Sequence, residues 1–141
     1  MHKPELLALV DGNGDGAADR QEVAVAGWGF TDNYHDWSAG PVRDAAGNLY
    51  VATSSDYAQP GRPEHLCRWR GKVLRISPDG EVTPIAHELR YPMGIAFDPE
   101  GRLFVSDQQG VANTFNEIDH IVEGGKYGVK GLYDPDDGQP E

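Results

Sequence analysis

The feature that most constrains this chain is an internal repeat. Residues 40–51 (GPVRDAAGNLYV) lie over residues 94–105 (GIAFDPEGRLFV) without a gap. Gly40 meets Gly94, Asp44 meets Asp98 and Gly47 meets Gly101; Leu49, Tyr50 and Val51 meet Leu103, Phe104 and Val105. The shared pattern is strand, Asp-x-x-Gly turn, strand. A sheet unit that recurs in this way buries its faces only against its neighbours, which is the logic of a propeller blade. The competing explanation is two unrelated hairpins with similar turns, and six like pairs in register weigh against it. The fold class expected is therefore all-β, with β-propeller blades. Closing a propeller takes at least ~4 blades, and 141 residues hold material for about two to two and a half. The remainder comes from the rest of a longer propeller or from self-association.

Composition supports this class. Gly numbers 18 and Pro 10, about one residue in five, where ~12% is ordinary. Short apolar runs separated by turns read as strands: Leu6–Val10, Glu22–Ala26, Asn48–Thr53, Lys72–Ser77, Glu81–Ala86, Gly94–Phe97, Arg102–Ser106 and Glu117–Val122. Pro78-Asp79-Gly80 turns one hairpin, because Pro presets φ and Gly accepts φ > 0. Pro84 marks an edge position. Residues 57–70 and 107–116 read as long loops. Residues 1–133 form the partial propeller, with repeat units near 36–53 and 90–107. Residues 134–141 (DPDDGQPE) form a disordered tail.

The net charge of −11 disfavours nucleic acid and anionic membrane as partners. No run approaches the ~18 apolar residues of a membrane span, and Met1–Val10 does not have the shape of a signal peptide. The single cysteine, Cys67, allows no internal disulfide. It sits in a loop beside Arg68 and Arg70, which gives it no specific nucleophilic setting.

Two constellations carry chemistry. The first is the segment 11–22 (DGNGDGAADRQE), which fits the 12-residue calcium loop at its ligand positions. Asp11, Asn13 and Asp15 supply hard oxygens, Ala17 a carbonyl, Asp19 a direct or water-mediated contact, and Glu22 a bidentate carboxylate. The flanks read as strands where an EF-hand has helices. The alternative is an Asx-rich hairpin turn built on Asn13-Gly14 and Asp15-Gly16.

The second runs from Gly71 to Gly128: GKVLRISPDG, then HELRYPMGIAFDPEGRLFVSD, then NEIDHIVEGGKYG. This ordered set resembles the glucose/sorbosone dehydrogenase family, the soluble quinoprotein sugar dehydrogenases, which are six-bladed propellers. The opening stretch also resembles the haem-coupled dehydrogenase-like propellers of large secreted bacterial proteins. The resemblance implies oxidation of an aldose or alcohol with pyrroloquinoline quinone (PQQ) and Ca²⁺. It further implies a haem or cytochrome as electron acceptor, and a periplasmic or extracellular location. Arg90 stands where the family's arginine binds quinone carboxylates, a task that suits a planar guanidinium. Tyr91 stands in place of the family's asparagine. Glu117 and Tyr127 stand where the family has calcium ligands, the tyrosine through its carbonyl. The family's Gly-Pro carbonyls fall on Val111 and Ala112. The family's general base, which takes a proton as hydride passes to the quinone, falls on Trp37, and His35 lies two positions earlier. A plain reading makes His35 a loop residue packed with Tyr34 and Trp37. His120 shares a strand face with Ile118 and Val122, which reads as a partly buried, satisfied histidine.

A second function class remains beside the enzyme: a non-catalytic, calcium-stabilised propeller that serves as a binding or scaffold module. Trp37 and Tyr91 favour it.

Overall fold

The computed structural model describes residues 5–31, 33, 35–55, 65, 68–108 and 115–129. Cys67, Tyr34, Val111, Ala112, the tail 134–141 and most of both long loops lie outside the described residues. The chain is all-β. Its strands are β1 (Glu5–Val10), β2 (Arg20–Ala26), β3 (Ser38–Arg43), β4 (Leu49–Thr53), β5 (Val73–Ile76), β6 (Val82–His87), β7 (Gly94–Phe97), β8 (Leu103–Asp107), β9 (Glu117–Ile121) and β10 (Gly125–Lys126).

They form three sheets: the hairpin β1-β2, a sheet in the order β10-β6-β5-β4-β3, and a sheet in the order β7-β8-β9. Every pairing is antiparallel except β10 on β6, where Gly125 meets Ala86 and Lys126 meets His87. That two-residue strand carries no periodic signal and was not expected from the sequence. Pro84 lies beyond it, on a stretch of β6 that β10 leaves as an edge, where a missing N–H costs no ladder bond.

The central sheet is covered on both faces. Val51, Leu74 and Ile76 face the hairpin and pack with Leu6 and Trp28. Ala52, Val73, Ile85 and Ala86 face the third sheet and pack with Leu103, Val105 and Ile121. Alternation along β4 and β5 sends neighbouring residues to opposite cores. Three sheets stacked face on face, each burying itself only against the next, have the arrangement of propeller blades. The two repeat units occupy successive sheets, as their register requires.

The repeat also recurs in its turns. Asp44 N–H donates to Asn48 O and Asn48 N–H to Asp44 Oδ1 (2.8 Å). Asp98 and Arg102 make the same pair of bonds. Ser77 and Glu81 make them a third time, with the Ser77 hydroxyl in place of the carboxylate. A serine in the aspartate position hid this third copy from the sequence pattern. Tyr50 and Phe97 meet edge-on at 5.2 Å and close the outer part of the core between the two larger sheets.

The segment before β3 is tied down by a buried ion pair. The Arg70 guanidinium meets Asp36 at 2.7 Å and donates to the carbonyls of Trp28 and Gly29. The other Asp36 oxygen accepts from Thr31 N–H. Arg70 is therefore a structural anchor.

Candidate functional site

One end of the two larger sheets gathers residues far apart in sequence. There β3, β7 and β9 begin and β4 and β8 end. Asp107, the last residue of β8, is buried, and its carboxylate accepts three backbone N–H groups: Arg90 (2.7 Å), Tyr91 (2.7 Å) and Gln108 (2.9 Å). The Arg90 carbonyl accepts from Ser55 N–H on the neighbouring sheet. The segment carrying Arg90 and Tyr91 is thus held from both blades. Its approach is tight as well: Leu89 N–H donates to Gly71 O, and Gly71 has φ +64.

His35 arrives at the same place. Ser54 organises it, donating its hydroxyl to His35 O (2.8 Å) and accepting from Trp37 N–H (3.1 Å). Trp37 Nε1–H donates to Pro92 O. The rings of His35, Trp37 and Tyr91 form a cluster with centroids 5.4 to 5.5 Å apart. The Arg90 guanidinium lies 4.8 Å from the Tyr91 ring centroid, within cation–π range. The structure therefore brings His35, Arg90 and Tyr91 together, although the sequence spacing for the histidine departs from the family's. His35 packs with Trp37 as expected; Tyr91 is a partner the sequence did not suggest.

Carboxylates line the inner side of this end. Glu117 is the cross-strand partner of Asp107, and Asp119 that of Val105. Asp119 Oδ2 is buried with no hydrogen-bond partner among the described residues. Burial, then the charges of Glu117 and Asp107, push the Asp119 carboxyl up to about 6. Burial also raises Asp107, against the three N–H bonds that favour its charged form. A shallow depression of about 430 Å³ opens beside them, lined by Met93, Ser106, Asp107, Gln108, Glu117 and Ile118. Carboxylates set this near one another favour a shared proton. A guanidinium stacked on an aromatic ring beside them suits a planar carboxylate.

Tyr127 is used differently. Its hydroxyl accepts from Val122 N–H (2.9 Å) and donates to His120 O (2.8 Å), clamping the β9–β10 turn, while its N–H donates to His87 O. His120 does share a face with Ile118 and Val122, but that face is exposed. This corrects the buried reading: the histidine stacks on Phe104 at 5.1 Å on the outer side of the third sheet.

The loop between β1 and β2 is an Asx-rich turn with strands on both sides. Asp11 accepts from the N–H groups of Gly14 and Gly16, and those bonds, Gly16 first, hold its carboxyl below the ordinary value. Asn13 Oδ1 accepts from Asp15 N–H, and Asp15 from Ala17 N–H. Asp19 accepts from Gly12 N–H and the Asn13 amide, and Glu22 pairs with Arg20 at 2.6 Å. Among the described residues no group of three or more His, Cys, Asp or Glu side chains is placed to share a metal ion.

Among the described residues no helix is long and apolar enough to cross a membrane. A family model described as "Domain of unknown function (DUF7133)" matches residues 1–130. The chain is also similar to quinoprotein glucose dehydrogenase B of Acinetobacter calcoaceticus, 38% identical over 72 residues. That match covers 43% of this chain and 15% of the relative's length, so the chain spans only a small part of the relative.

Proposed function

The chain belongs to the family described as Domain of unknown function (DUF7133), and from that premise we propose that it is part of a quinoprotein-dehydrogenase-like propeller. The whole assembly oxidises an aldose or alcohol with PQQ and Ca²⁺ and passes the electrons to a haem or cytochrome acceptor, in a periplasmic or extracellular setting. One observation carries this reading: His35, Arg90, Tyr91, Asp107 and Glu117 converge at one end of two adjoining blades. The likeness to a quinoprotein glucose dehydrogenase supports it.

The residues fit the quinone in part. Arg90 offers a fork for one of its carboxylates. Tyr91 offers a ring and a hydroxyl where an amide would serve. Glu117, beside Asp107 and Asp119, offers carboxylate oxygen to the calcium ion, and Tyr127 a carbonyl. By their pattern in the sequence Asp11, Asn13, Asp15, Ala17, Asp19 and Glu22 would hold a second, structural calcium ion, but the described loop spends Asp11, Asn13, Asp15 and Asp19 on its own N–H groups and Glu22 on Arg20, which does not fit one. The bound quinone supplies a hydride acceptor; His35 is the residue on this chain that would take the substrate's proton.

A single copy holds too few sheets to close a propeller, and on this reading it is inactive. The test is quinone titration of the assembled protein in Ca²⁺, followed by absorbance. Saturable binding that Arg90→Ala abolishes is expected. Binding indifferent to Arg90 defeats the assignment, and turnover by an isolated single copy defeats the incompleteness.

The second reading, a calcium-stabilised scaffold without catalysis, draws on one observation. Tyr91 is only 7% exposed, and it spends its ring on His35 and Trp37. Absence of any saturable quinone binding favours that reading.

A further inference from the structure

The run Gly124-Gly125-Lys126-Tyr127-Gly128 carries the chain from the end of β9, in the third sheet, onto the edge of β6 in the central sheet. There it lies as a strap. Gly124 N–H donates to Ile85 O (2.7 Å), Tyr127 N–H to His87 O (3.0 Å) and Val129 N–H to Glu88 O (2.8 Å). Lys126 Nζ stands 3.6 Å from the Glu88 carboxylate.

The Tyr127 side chain locks the strap. Its ring folds back across Gly125, where an added Cβ would lie 2.7 Å from the hydroxyl and 2.9 Å from Cε2. The φ of Gly125 lies outside the left-handed region, so the ring, and not the backbone, requires glycine there. From that position the hydroxyl reaches the end of β9, accepting from Val122 N–H and donating to His120 O. Glycine at 125 and tyrosine at 127 explain one another.

What the strap holds is the approach to Arg90. Glu88 has φ +66, the one positive φ at a described non-glycine residue. An L-residue stays in that conformation only where its surroundings over-determine it. Here the strap takes the carbonyls of His87 and Glu88, Gly71 O takes the N–H of Leu89, and Asp107 takes those of Arg90 and Tyr91. The chain thus leaves β6, turns at Glu88 and arrives at Arg90 with its backbone tied to three separate elements.

We propose that Tyr127 is a positioning residue: through the strap and the turn at Glu88, its hydroxyl fixes where Arg90 presents its guanidinium. The proposal rests on the quinone reading only for the ligand that Arg90 receives. The strap's hold on the segment is a property of the fold.

The first arm of the test needs no quinone. It compares amide hydrogen exchange in the native chain and in Tyr127→Phe, which keeps the ring and loses the hydroxyl. Exchange at residues 89–91 is expected to accelerate about tenfold, the scale of one or two lost hydrogen bonds, while β4, β5 and β8 keep their protection. Gly125→Ala, which pushes the ring off the turn, is expected to do the same, and to add little in a Tyr127→Phe background. Unchanged exchange at 89–91, or acceleration spread evenly over both larger sheets, overturns the proposal.

The second arm is quinone titration of the assembled protein in saturating Ca²⁺. Tyr127→Phe is expected to weaken binding about tenfold. Tyr50→Phe is the matched loss of a hydroxyl bond, to Asp44 at the far end of the same sheets, and is expected to leave affinity unchanged. Equal losses in the two variants, or native affinity in Tyr127→Phe, overturn the positioning role. Binding that ignores Arg90→Ala defeats the quinone reading instead, and the exchange arm alone then decides the strap.

Discussion

The Asp107 carboxylate holds Arg90 through the backbone, accepting its N–H at 2.7 Å, while the next N–H, from Tyr91, occupies the other oxygen. The side chain that fixes the candidate site is therefore a buried acid on a strand end, and Arg90 is presented by a segment whose amides are already satisfied. Asp107→Asn keeps the shape but leaves one acceptor oxygen where there were two. A buried N–H stripped of its partner costs about 1–3 kcal/mol, and the variant is expected to lose that much in urea denaturation. Amide exchange at residues 90 and 91 is expected to accelerate beyond that of β8. Uniform acceleration over both sheets would instead make Asp107 a general stability residue.

Arg70 and Asp36 form the second fixed point, with side chains 3% and 4% exposed. Removing one partner of a buried pair leaves an uncompensated charge, at a cost of about 3–5 kcal/mol. Asp36→Ala is expected to fall in that range. Asp36→Ala combined with Arg70→Met is expected to cost less than the two single losses added, since no charge is then stranded. Additive losses would show that the two side chains do not couple.

The repeat made the blades legible, because the Asp-x-x-Gly turn and the Leu-x-Val strand after it are local and periodic. Strand alternation assigned the right face to His120, yet burial depends on what covers a sheet, and the strand itself does not encode that. The ordered motifs pointed to Arg90, with Tyr91 as a departure from them, and to His35 only as the histidine two positions before Trp37, where the family's base would fall. Their meeting was not legible, because Ser54 and Asp107 create it through backbone bonds that no spacing rule describes. Asp36 and Arg70 lie 34 residues apart with no pattern between them, and β10 is two residues long. Neither offers periodicity to read.

Gly71 is a position that tolerates no side chain. Its φ is +64, and a Cβ built there would lie 2.7 Å from Leu89 O. The left-handed conformation costs a non-glycine residue about 1–2 kcal/mol, and relieving a contact with backbone displaces Leu89 from the inter-sheet core. Gly71→Ala is expected to lose about 2–4 kcal/mol in all. Gly80 is the control, since its φ is +89 but nothing lies within 4 Å of its Cβ. Gly80→Ala is expected to show the conformational cost alone. Equal losses at the two positions would remove the close approach from the explanation.

Asp44 gives the fold an acid-sensitive joint. Its carboxylate accepts from the Asn48 side chain (2.7 Å), the Asn48 N–H and the Tyr50 hydroxyl (3.0 Å). Those bonds, the Asn48 side chain first, hold its carboxyl below the ordinary value. A group whose pKa is lower folded than unfolded stabilises the native state above the unfolded value, near ~3.9 for aspartate, and loses that contribution as pH falls through the folded one. Asp44→Asn is therefore expected to cost about 1 kcal/mol at neutral pH, a modest figure because the turn is partly exposed. The gap between native and variant, followed by urea denaturation, is expected to stay constant from neutral pH down to about 5 and to shrink below about 4. A gap of the same size at both ends of that series would assign the loss to packing of the turn and take the carboxylate charge out of it.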